Sequence, residues 1–174
     1  WGGWDAPSLE TADAIWQHFQ DHWTDQGGFS SHAWTWWFTG SNPQQGNDRT
    51  AQVDVPGGGG FYPDAYLPLL RRSSSHPSLA GIHQDLQDGY GVTLAVSGPG
   101  SHAITCWGVQ YSLDPLTYHG VWVTDSDDDR LGDAPPRRLR YYTARPGTYD
   151  YWFLNDFYGS DDWHIDATAS LHIP

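Results

Sequence analysis

From Gly91 onward, segments in which apolar residues recur at every second position replace the earlier helical spacing, and this change of period constrains the fold more than any other feature. Successive side chains of a strand point to opposite faces, so alternation reads as a sheet with one buried side. Val92 to Ser97, His102 to Tyr111, Gly120 to Asp125, Leu139 to Thr143 and Tyr149 to Phe153 all carry the strand signal. The last segment is the clearest. Trp163, Ile165, Ala167, Ala169, Leu171 and Ile173 alternate with His164, Asp166, Thr168, Ser170 and His172. This predicts a strand buried on the first set and wet on the second.

Upstream of Gly91 the period is helical. Leu9, Ala12, Ile15, Trp16, Phe19 and Trp23 follow a Pro7-Ser8 start, and Gln26-Gly27-Gly28 ends the run. Ser78 to Gly89 reads as a second helix, with Leu79, Ile82 and Leu86 inward and Gly89 as its stop. The aromatic run Ala33 to Phe38 reads as core, while Ser41 to Gly60 and Ser73 to Ser75 read as loops. Helices followed by an antiparallel sheet predict one α+β domain over residues 1–174.

The charge narrows the partners. The formal net charge is −13, and all eight basic residues are arginine. Such a surface repels phosphate backbones and anionic membranes, so neither nucleic acid nor membrane is an expected partner. No apolar run is long enough to cross a bilayer. Cys106 is the single cysteine, so an internal disulfide is excluded. No cofactor and no metal are expected. The chain has no methionine, which reads as a fragment or a processed product.

The chemistry concentrates between Ser101 and Asp129. His102 stands where the turn Gly98-Pro99-Gly100 enters a strand, and the next strand, Gly120 to Asp125, ends in carboxylates. If the two strands form a hairpin with a four-residue loop at Ser112 to Pro115, His102 lies opposite Asp125. A register two residues away puts it opposite Asp127. Both keep the ring and a carboxylate on one face, with Cβ atoms about 4.5–5.5 Å apart when directly opposed. One imidazole nitrogen then bonds the carboxylate, and the other can face a nucleophile. A thiol protease needs this arrangement, because the imidazolium stabilises the attacking thiolate. Cys106 cannot be that thiol: four strand steps from His102 span roughly 13 Å.

Ser101-His102-Ala103-Ile104-Thr105-Cys106-Trp107-Gly108-Val109, followed by Val121-Trp122-Val123-Thr124-Asp125-Ser126-Asp127, resembles the catalytic half of the IdeS/Mac family of secreted bacterial cysteine endopeptidases. The resemblance covers about thirty residues. It implies a papain-like fold, with N-terminal helices before an antiparallel sheet and the helix bearing the nucleophile missing. It implies that His102 is the general base, that Asp125 orients it, and that Asp127 supports the site. It also implies an extracellular, monomeric enzyme acting on a protein or peptide substrate. The family's oxyanion-hole lysine has no counterpart, since the chain contains no lysine. Trp1-Gly2-Gly3-Trp4 looks like the segment after the nucleophile helix, which places the missing cysteine shortly upstream of Trp1. The chain by itself is then expected to be inactive.

Two alternatives stay open at the level of sequence. One is a catalytically inactive homologue or a secreted, aromatic-rich module that binds protein or carbohydrate, with eleven Trp and ten Tyr to stack on a ligand. The other is calcium binding by the acidic loop Asp125 to Asp129. A helix–loop–helix calcium site wants glycine at its sixth position and glutamate at its twelfth. Arg130 and Pro136 stand there, which leaves only an irregular site or a solvated loop.

Overall fold

The computed structural model describes residues 14, 17–18, 21–22, 36–40, 59–61, 71–125 and 138–172. The chain divides into two compact units, residues 1–70 (with Pro174) and residues 71–173. In the first unit, Trp36 to Thr39 form a helical turn that Gly40 closes by donating its N–H to the Trp36 carbonyl at 2.8 Å. Trp36 and Phe38 are buried, in keeping with the core reading of the aromatic run. The His18 ring packs against His22, Trp37 and Phe61. The helix expected from Leu9 to Trp23 falls mostly outside the described residues, although positions 14, 17–18 and 21–22 within it are helical.

The second unit is built from strands. β1 spans Arg71–Ser75, and an α-helix, α1, spans Leu79–Gln87. Then come β2 (Tyr90–Ser97), β3 (Ser101–Leu113), β4 (Leu116–Thr124), β5 (Arg140–Pro146), β6 (Trp152–Leu154) and β7 (His164–His172). All pairings are antiparallel, in the order β1-β7-β2-β3-β4-β5-β6. β6 then returns to β7 through Trp152↔Ile165 and Phe153↔His164. Six strands therefore close into a barrel, and β1 adds to β7 beyond the seam, from Ser75↔Ala167 to Arg71↔Leu171.

This corrects the expected fold class. The protein is predominantly β with a closed antiparallel barrel; it is not an α+β papain-like domain with helices beside an open sheet. The cause lies in β6. Its pairs with β7 remove the sheet edge that an open arrangement would have to protect. Closure hides inward side chains of β2, β3, β4, β6 and β7 in one core, Val92, Leu94, Val96, Ile104, Cys106, Val121, Val123, Leu154 and Ile165, with Tyr142 and Ala144 of β5 packed against it.

α1 forms for local reasons. Ser78 is its N-cap, accepting the N–H of Gly81 at 3.0 Å on its hydroxyl, and Gly89 follows the helix at φ +83°. Leu79 and Ile82 enter the barrel core, with Leu86 packed against it. On its other side Asp85 accepts a hydrogen bond from Ser170 of β7 and, with Asp88, from Arg72 of β1. The added strand and the helix are thus tied together at one end of the barrel.

Two departures from the expected pattern have a physical source. Ser73 to Ser75, read as a loop, belongs to β1, because β7 offers it an unpaired edge beyond the β6 seam. In β7 the inward face changes partway along. Ala95 pairs Ala167 while Val96 pairs Ile165, so Asp166 is an extra residue that shifts the period by one. Thr168 and Ser170, expected to be wet, are consequently buried, while Ala167 and Ala169 are only partly so.

Candidate functional site

The end of the barrel opposite α1 gathers the start of β3, the end of β4 and the loop between β6 and β7. His102 enters β3 paired with Val96 and shares its strand face with buried Ile104 and Cys106. It therefore points toward the interior, at the mouth. The turn before it needs glycine for a close approach. A Cβ on Gly98 would stand 2.8 Å from the Asp162 carbonyl oxygen and 3.0 Å from Trp163 Cα.

β3 and β4 are joined by a two-residue turn, Asp114-Pro115, with Leu113↔Leu116 as the last pair, rather than by the expected four-residue loop. Two irregularities follow: Trp107 is an extra residue in β3 and His119 an extra residue in β4. Their offsets cancel, and the ladder ends at Thr105↔Thr124. Continued outward, this register is the one that would place His102 opposite Asp127, and it makes Asp125 a diagonal neighbour of His102. Diagonal positions lie about 7–8 Å apart, within reach of these side chains. Trp107 pins the end of the ladder, donating its Nε1–H to Thr124 Oγ1 at 2.8 Å, one residue before Asp125.

The contact foreseen from parity is present. His102 Nε2 lies 2.6 Å from Asp125 Oδ1. Asp125 is nearly buried at 5% side-chain exposure, whereas His102 keeps 18%. Asp127, Asp128 and Asp129, and with them the supporting role of Asp127 and the acidic loop after Asp125, lie outside the described residues.

Sequence reasoning missed Tyr158. Its hydroxyl donates to Asp125 Oδ2 at 2.8 Å and stands 3.5 Å from His102 Nε2. Its ring meets the imidazole edge-on, with centroids 5.8 Å apart and planes at 80°. The one available signal was two aromatics, Phe157 and Tyr158, in a turn otherwise rich in Asp, Gly and Ser.

Each Asp125 oxygen thus meets a donor. An ionised carboxylate only accepts, so the 2.6 Å contact requires a proton on His102 Nε2. In the neutral ring the basic lone pair is then on Nδ1. The pair can take a proton at Nδ1 from an incoming thiol, hydroxyl or water and hold the resulting imidazolium against a buried carboxylate.

Cys106 takes no part. It is buried, and burial pushes its thiol from 9.0 up to about 12, which the neighbouring Gly108 main chain opposes only weakly. A thiol held neutral is a poor nucleophile. We expect iodoacetamide at pH 8 to leave Cys106 unmodified in the folded chain and to alkylate it in urea, as read by intact mass. The same shift favours the protonated thiol in the folded state. Its contribution to stability is complete below pH 9.0 and is lost as pH rises toward about 12.

No protein-family model matches the chain. A stretch of 57 residues, 32% of the chain, is 44% identical to part of NAC domain-containing protein 101 of Arabidopsis thaliana. The match spans 16% of that protein's length, too little to place the chain in its family. Among the described residues, no group of three or more His, Cys, Asp or Glu is arranged to hold a metal ion, and no helix is long and apolar enough to cross a membrane.

Proposed function

We propose that the barrel carries the histidine and aspartate of an extracellular bacterial cysteine endopeptidase of the IdeS/Mac type, with the thiol supplied from outside these 174 residues. The observation that carries this reading is the 2.6 Å contact between His102 and a nearly buried Asp125, at a barrel mouth where the ring keeps partial access. It rests on the pair and on the resemblance of the flanking residues, not on the overall architecture.

In this reading His102 Nδ1 takes the proton of the attacking thiol. The thiolate adds to the scissile carbonyl, and the imidazolium returns the proton to the leaving amine. Water then attacks the acyl-thioester with the same nitrogen as base, releasing the acid and restoring the thiol. Asp125 keeps the ring in the Nε2–H form throughout. The substrate is a protein or peptide.

The test is digestion of a denatured protein by the product of the whole gene, read by mass spectrometry. We expect internal cleavages that iodoacetamide abolishes and a metal chelator leaves intact. Cleavage indifferent to alkylation, or none at all, would contradict the proposal.

A further inference from the structure

We infer that Tyr158 is a positioning residue that locks the His102–Asp125 pair into a single tautomer and rotamer. This rests on the endopeptidase reading only for its effect on turnover; the effect on the imidazole stands by itself.

The argument begins with the backbone. Tyr158 sits in the left-handed region at φ +52°, as does Asp156 at +56°. That region is unfavourable for a bulky L-residue and persists only where the surroundings over-determine it. Here they do. Asp156 donates its N–H to Asp161 Oδ1 at 2.7 Å, Ser160 donates its N–H to the Phe157 carbonyl at 3.1 Å, and Asn155 bonds Thr143 through both main chain and side chain. Phe157 is fully buried among Tyr142 and Trp163. The loop is held in a strained form whose outcome is the Tyr158 hydroxyl on the carboxylate.

Two consequences follow for the pair. With Oδ2 engaged by Tyr158 and Oδ1 by His102, the carboxylate cannot rotate without breaking a charge-assisted hydrogen bond. The tyrosine ring, edge-on to the imidazole, also opposes a flip that would exchange Nδ1 and Nε2. A tyrosine that merely filled space would need neither its oxygen nor this orientation.

The discriminating variant is Tyr158→Phe, which keeps the ring and removes the oxygen. In the 174-residue chain, 15N spectra of the imidazole should show the Nε2–H tautomer alone in the parent and a mixture in the variant, with the thermal midpoint little changed. In the full-length enzyme kcat should fall about tenfold with KM nearly constant, the loss expected for one hydrogen bond to a charged group. An unchanged tautomer in Tyr158→Phe would overturn the inference, even if His102→Ala still abolished cleavage. If no variant or parent cleaves peptides, the endopeptidase reading fails while the tautomer shift still decides the role of Tyr158.

Discussion

Replacing His102 by alanine in the full-length protein is expected to lower peptide turnover about a thousandfold or more, within the range that a lost general acid–base group produces. The barrel should survive, because His102 is partly exposed at its mouth and the inward stack of Val92, Leu94, Ile104 and Val123 does not depend on it. Asp125→Ala should cost about a hundredfold, since the ring loses the acceptor that fixes its tautomer. Asp127→Ala should cost less. Steady-state kinetics with a peptide substrate, beside circular dichroism of each variant, reads both effects. Turnover unaffected in His102→Ala would remove the catalytic assignment. A larger loss in Asp127→Ala than in Asp125→Ala would mean that the ring works with the other carboxylate.

The second large effect falls on stability. Phe157 is fully buried in the β6–β7 loop and meets the rings of Tyr142, Tyr158 and Trp163 at centroid distances of 5.0, 4.8 and 5.4 Å. Truncating it leaves an apolar void among the rings of Tyr142, Tyr158 and Trp163. We expect Phe157→Ala to destabilise the protein by about 3–5 kcal/mol, read from the urea midpoint by tryptophan fluorescence. It should also disturb the pair at the mouth, because Tyr158 hangs from the same loop. A loss below about 1 kcal/mol would show that this end of the barrel repacks freely.

Much of the second unit was legible because strands and helices announce themselves by period. Val92, Leu94 and Val96 alternate cleanly inward, and Ser78, Leu79, Ile82 and Gly89 mark α1 by cap, face and stop. Closure was not legible. It depends on two β6–β7 pairs in a strand of three residues, too short to carry a pattern. β1 was hidden because its serines leave no apolar alternation. The reversal of faces in β7 hinges on one extra residue, Asp166, and a single insertion leaves no mark on composition.

The His102–Asp125 contact was foreseen although the assumed turn was wrong, and the reason is parity. The actual register differs from the first choice by two residues, and a shift of two preserves the face while a shift of one would not. Tyr158 could not be foreseen in the same way. Its place depends on a loop with strained backbone and long-range packing, to which neither period nor spacing refers.

The most direct measurement is the rate at which iodoacetamide alkylates the full-length protein at pH 6, read by intact mass, with and without His102. If the imidazole sustains a thiolate, the parent should react far faster than a free cysteine. His102→Ala should then slow to the free-thiol rate, and Asp125→Ala should fall between. Equal rates in parent and His102→Ala would contradict the account, for the ring would have no influence on the group it is supposed to activate.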